Sequence, residues 1–177
     1  MRKKRLLLAI LILVFIIALI FAFRTDLKVM QYKISSEKID FKIKMAFIAD
    51  LHSCYYGEGQ KELLDCINKH APDIILFGGD IADDKLPHEN WMITLEALSK
   101  SYPCYYVSGN HEYWSSDIEF IKQTISKYGI DVLEGKCRIL VINGQKINIC
   151  GIDDFETGEE EYLVLSGHSH GGQWRIP

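Results

Sequence analysis

The sequence has no Cys-x-x-Cys pair, and its five cysteines (54, 66, 104, 137 and 150) follow no regular spacing. The odd count leaves at least one thiol unpaired within a single chain, and the apolar strand-like runs around Cys104 and Cys150 suggest buried free thiols at both. Basic residues are scarce after residue 24. Five of the 20 Lys and Arg lie in residues 1–24 and all 24 Asp and Glu lie beyond, so the remainder carries fifteen cationic against twenty-four anionic side chains, a formal −9. A nucleic-acid binder would normally show a basic stripe, so no nucleic-acid partner is expected. No internal repeat or low-complexity tract is present.

The first 24 residues lack acidic residues altogether. A cationic cluster, Arg2 to Arg5, precedes an unbroken apolar run from Leu6 to Phe23. As a helix those 18 residues would reach about 27 Å, near the thickness of a bilayer's hydrocarbon core. The run has no polar face, which argues against a core helix, and its exit has no convincing Ala-x-Ala cleavage site. Residues 1–24 are therefore expected to be a cytoplasmic basic cluster and an uncleaved transmembrane anchor. Residues 25–42 would form a juxtamembrane linker, and 43–177 the folded domain. The charge before the helix places the N-terminus in the cytoplasm and the domain outside it, as a single-pass protein of the cell membrane.

From Phe41 onward short apolar runs alternate with helical patterns. Strands are expected at Ile43–Ala49, Asp73–Phe77, Cys104–Val107, Cys137–Ile142, Lys146–Cys150 and Tyr162–Leu165. Helices are expected at Gly59–His70, Glu89–Lys100 and Asp117–Tyr128. Asn143-Gly144 between two apolar runs marks a hairpin. This rhythm implies an α/β domain with a largely parallel sheet plus one antiparallel element.

Chemistry gathers where the strands stop. Ile48-Ala49 leads into Asp50 and His52, Phe77 into Gly78-Gly79-Asp80 and Asp83, Val107 into Gly109-Asn110-His111-Glu112, and Leu165 into Gly167-His168-Ser169-His170. In open α/β sheets ligands collect beyond the carboxyl ends of the strands. Mixed carboxylate, imidazole and amide donors suit a borderline divalent ion such as Mn, Fe or Zn. There are more donors than one ion needs, which points to two ions sharing a carboxylate. Taken singly, each segment has a plainer reading: a helix N-cap at Gly-Asp, a left-handed turn at Asn110, a glycine loop with solvent-facing histidines.

Together and in this order, the four segments resemble the calcineurin-like metallophosphoesterases, specifically a bacterial membrane-anchored branch ending in Gly-His-Ser-His-Gly-Gly-Gln. The likeness runs from about Lys44 to Pro177. It implies a β-sandwich flanked by helices, a four-layer αββα arrangement on a βαβαβ core. It also implies a dinuclear centre: Asp50, His52 and His170 on the first metal, Asp80 bridging, and Asn110 and His168 on the second. His111 would serve at the leaving group as a general acid or charge stabiliser, oriented by Asp83.

The chain departs from the family pattern in one place. No histidine lies between His111 and His168, whereas the family carries a further strand there whose histidine completes the second metal site. The segment between Asp153 and Tyr162 is shorter than the dozen or more residues usual for a crossover to a parallel neighbour. An internal deletion, a truncated C-terminus and a weakened second site are expected. His88, in the loop after Asp80, is the substitute ligand to consider, against an ordinary surface histidine; His70 lies at the wrong end of the sheet.

The expected activity is that of a phosphatase or phosphodiesterase, cleaving a phosphate mono- or diester or a pyrophosphate with water activated by two metals. The substrate would be a phosphorylated small molecule or a lipid-linked one at a membrane surface. The alternatives are a catalytically impaired member binding one metal, and a tethered cation-binding module.

Overall fold

A computed structural model describes residues 2–22, 27–152 and 164–165. The chain divides into two compact units, residues 1–33 and 34–177.

In the first unit the expected helix forms as α1, Arg2–Ala22. Its role as an anchor is not upheld: among the described residues no helix is long and apolar enough to cross a membrane. The expected single-pass membrane location is corrected on this finding.

The second unit holds two sheets. The first is parallel throughout, in the order β1 (Met45–Ile48), β2 (Ile74–Phe77), β3 (Cys104–Tyr106), β4 (Asp131–Val132). The connections carry α2 (Lys61–His70), entered through a 3-10 turn at Glu58–Gln60, then α3 (Glu89–Ser99), and then α4 (Asn110–Trp114) with α5 (Ile118–Lys127). The strands and long helices lie where the apolar rhythm puts them. β4 and α4 were not foreseen: a two-residue strand and a single helical turn are too short to show a period.

The second sheet comprises β5 (Cys137–Ile142), β6 (Gln145–Gly151) and β7 (Val164–Leu165). β5 and β6 form the expected antiparallel hairpin around Asn143-Gly144, both at positive φ as a type I′ turn requires. β7 runs parallel to β6, pairing Val164 with Cys150 and Leu165 with Gly151. The parallel pairing that the short linker argued against is thus present between β6 and β7.

The sheets meet through one core. Ile74 and Leu76 of β2, Val107 and Leu133 from the first sheet's loops and Ile149 of β6 are buried together, with Leu140, Ile142 and Ile147 of the hairpin packed against them. Because side chains alternate along a strand, the equally buried Ile75 and Phe77 face the opposite way. α2, α3 and α5 carry buried apolar faces of their own (Leu63 and Ile67; Trp91, Leu95 and Leu98; Ile121 and Ile125). Burial on both faces explains why β2 reads as a continuous apolar run. At the sheet edges Arg138 of β5 grips Asp131 of β4 with two hydrogen bonds, from Nε at 2.6 Å and from Nη2 at 3.0 Å.

Cys150 is not a free thiol. It is disulfide-bonded to Cys137, directly across the hairpin. The free cysteines among the described residues are Cys54, Cys66 and Cys104; burial pushes the Cys104 thiol up to about 12.

Candidate metal centre

The loops leaving β1 and β2 stay paired beyond their strands. The amides of Asp50, His52 and Ser53 donate to the carbonyls of Gly79 (3.2 Å), Asp80 (2.9 Å) and Ile81 (3.0 Å). To do so they turn sharply. Asp50, His52, Ser53 and Asp80 all have φ between 46° and 54°, a left-handed conformation that costs a non-glycine residue about 1–3 kcal/mol. Four such residues in two facing loops mark a ligand clamp, since strain of this kind persists only where the surroundings enforce it. Glycine is required at two neighbouring points. A Cβ on Gly79 would come within 2.6 Å of the Gly109 nitrogen, and a Cβ on Gly109 within 2.4 Å of Asp80 Oδ1.

Glu112 locks the third loop to the second. Its side chain is fully buried. Oε2 accepts the amides of Asp80 (3.0 Å) and Gly109 (2.9 Å), and Oε1 those of Ile81 (2.6 Å) and Ala82 (3.1 Å). Burial raises its carboxyl above the usual range and the nearby Asp80 adds to this, while the amides of Ala82, Gly109 and Ile81 work the other way. Sequence reasoning gave this residue no role. The signal that could have found it is Gly109-x-x-Glu112 at the head of a helix, the spacing of a capping box.

At this junction one oxygen each from Asp50 and Asp80 and one His52 nitrogen lie within 4.8 Å of one another. Asp80 has no solvent exposure. Its Oδ1 accepts the His111 amide at 2.9 Å, and its Oδ2 is buried with no hydrogen-bond donor. A buried carboxylate oxygen without a donor is costly unless a cation supplies the missing interaction. His52 Nε2 lies 3.9 Å from Asp50 Oδ1. Asn110, 3 % exposed, opens α4 directly after Gly109. This donor set fits a divalent metal. His168 and His170 lie outside the described residues.

His111 stands beside His52, ring edge to ring face, with centroids 4.4 Å apart. Its Nδ1 is 3.0 Å from Asp84 Oδ1 and 3.9 Å from Asp83 Oδ2. The carboxylate within hydrogen-bond distance is thus the neighbour of the one expected. Asp83 Oδ1 instead accepts the amides of Lys85 (2.8 Å) and Leu86 (2.9 Å), and its Oδ2 lies 3.6 Å from His52 Nδ1. Burial works to raise the Asp83 carboxyl; the two amides and the nearby imidazoles outweigh it and hold the group below the usual range. His88 does not join the cluster. Its Nδ1 accepts the Trp91 indole N–H at 2.9 Å and its Nε2 is 3.6 Å from Asp117.

Strained loops at the carboxyl ends of parallel strands, converging carboxylates and imidazoles, and a buried anionic oxygen define a candidate metal centre on an α/β fold. The calcineurin-like phosphoesterase family model matches residues 43–168, and the chain belongs to that family, whose members are metal-dependent hydrolases. It is 26% identical over 131 residues to a Helicobacter pylori protein named an uncharacterized metallophosphoesterase, covering 72% of this chain and 34% of that one. It is 27% identical over 173 residues to YkuE of Bacillus subtilis, named an uncharacterized metallophosphoesterase (77% and 60%), and 25% identical over 170 residues to the phosphodiesterase YaeI of Escherichia coli (76% and 63%). The chain thus spans between a third and two thirds of the length of these relatives. Among solved structures, a phosphopantetheinyl hydrolase from Mycobacterium tuberculosis aligns with a TM-score of 0.46 at 17% identity, over 63% of this chain and 42% of that one.

Proposed function

We propose that this chain hydrolyses a phosphate ester, with a diester as the first substrate to try, since one relative is named a phosphodiesterase. The observation that carries the reading is the buried Asp80 Oδ2, without a donor, among Asp50 and His52. Asp50, His52 and His170 would hold one divalent ion, Asp80 would be shared, and Asn110 and His168 would hold a second. Ions so placed supply positive charge for phosphoryl oxygens and acidify water. The protein holds the ligands at fixed spacing through the Gly79–Gly109 approach and Glu112. His111 stands at the rim of the cluster to deliver a proton to the departing oxygen. The substrate class is a phosphorylated small molecule or a lipid-linked phosphate or pyrophosphate.

A second reading, one tightly held metal and impaired catalysis, is favoured by the absence of any histidine between His111 and His168. The second ion then keeps only Asp80, Asn110 and His168. Elemental analysis after dialysis, paired with hydrolysis of bis(p-nitrophenyl) phosphate across a Mn²⁺ titration, tests both. Metal-dependent turnover supports the first reading. Near one retained metal, with activity recovering only at millimolar Mn²⁺, supports the second. No bound metal and no hydrolysis at any Mn²⁺ level would overturn both.

A further inference from the structure

Two carboxylates adjacent in the chain, Asp83 and Asp84, stand against two adjoining imidazoles, His52 and His111. The family pattern leads one to pair His111 with Asp83. The hydrogen bonds divide them differently, and we infer that Asp84 is the positioning residue for His111, leaving Asp83 to His52.

Asp83 is already committed. Its own amide donates to Ser53 Oγ at 3.1 Å, and Oδ1 accepts the amides of Lys85 and Leu86. That ties its carboxylate into the turn that follows. Only Oδ2 remains, nearer His52 Nδ1 (3.6 Å) than His111 Nδ1 (3.9 Å). His52 Nδ1 is buried and has no closer partner, so a small shift would let it donate to Asp83. A carboxylate behind a metal-binding imidazole fixes ring orientation and raises ligand basicity.

Asp84 is free to serve His111. Its Oδ1 lies 3.0 Å from Nδ1. Its Oδ2 faces Lys85 Nζ at 3.8 Å, and Lys85 is largely exposed and competes weakly. The His111 main chain is pinned by its amide bond to Asp80 Oδ1, so ring rotation is the freedom left to control. Trp114 bounds the ring on another side, with centroids 4.9 Å apart. With Nδ1–H donated to Asp84, Nε2 is the atom left to exchange a proton with substrate.

The inference rests on His111 acting at the leaving group, and its test separates the two claims. Histidine-selective ¹⁵N spectra of the metal-free full chain, at a pH above the ordinary imidazole range, read the tautomer directly. Parent protein and Asp83→Asn should hold His111 with the proton on Nδ1; Asp84→Asn should move it toward Nε2. In the Mn²⁺-loaded chain Asp84→Asn should lower kcat roughly 10–100-fold with KM changed less than about threefold, an effect of orientation rather than of binding. The loss should be larger for an alkyl ester, whose leaving oxygen needs a proton, than for p-nitrophenyl, whose anion departs without one. Asp84→Glu should restore part of the activity. If Asp83→Asn moves the tautomer and Asp84→Asn does not, the assignment is overturned. If the parent shows no hydrolysis, the phosphoesterase reading fails, while the spectra still decide which carboxylate holds His111.

Discussion

Glu112 Oε2 receives the amides of both Asp80 and Gly109, at 3.0 and 2.9 Å, so a single buried carboxylate oxygen joins the loop after β2 to the loop after β3. Those loops carry Asp80 and the Asn110-His111 pair. The geometry of the centre is therefore set by a residue placed to touch no metal.

Removing that carboxylate should be costly. Glu112→Ala leaves buried amides without acceptors, each costing about 1–3 kcal/mol, and opens a void. We expect a stability loss of at least about 3 kcal/mol by urea unfolding, together with loss of bound metal. Glu112→Gln, which keeps one acceptor oxygen, should lose less of both. Equal stability of Ala variant and parent would show that the carboxylate is not what ties the loops.

Asp80→Asn should abolish nearly all metal retention, because its Oδ2 is the buried oxygen with no protein donor and the only ligand proposed for both ions. An amide nitrogen there would face the cation. Elemental analysis of variant and parent after dialysis checks this; equal metal content would refute the site.

Gly109→Ala should act as a metal-site mutation although it adds one methyl group. The new Cβ would lie 2.4 Å from Asp80 Oδ1 and 2.6 Å from the Asp80 amide, so one loop must move. We expect metal affinity to fall at least tenfold, on the scale of losing a supporting partner, read by competition with a chromogenic chelator.

The disulfide and the buried thiol make separate predictions. Replacing Cys137 and Cys150 by serine should cost about 2–4 kcal/mol, measured as a drop in Tm that dithiothreitol reproduces in the parent. Cys104 has its thiol raised by burial from 9.0 to about 12. Its unfolded form therefore ionises first, and the stability this thiol contributes is intact below pH 9.0 and is lost as pH rises toward about 12. Cys104→Val should flatten that alkaline limb. In the native chain iodoacetamide should modify Cys104 last, as peptide mapping would show.

The chain of residues carried the positions of its strands and the places where donors would gather, because a doubly buried strand must be apolar and its polar residues can begin only where it ends. The convergence of Asp50, His52 and Asp80 was legible for that reason. So, in principle, was the disulfide: a two-residue turn at Asn143-Gly144 sets Cys137 opposite Cys150, although composition and spacing alone suggested a free thiol. The N-terminal apolar run foretold a helix, which forms as α1, but not its use as an anchor: among the described residues no helix is long and apolar enough to cross a membrane. Other features required the folded chain. Asp83 and Asp84 are one bond apart and chemically alike, and the turn that takes up Asp83 Oδ1 is what turns Asp84 to His111. Glu112 looks like any acidic residue in a helix's first turn until three amides of the loop after β2 join that of Gly109 on its carboxylate. Such choices depend on backbone dihedrals and on contacts some thirty residues apart in the chain, and local pattern carries no information about either.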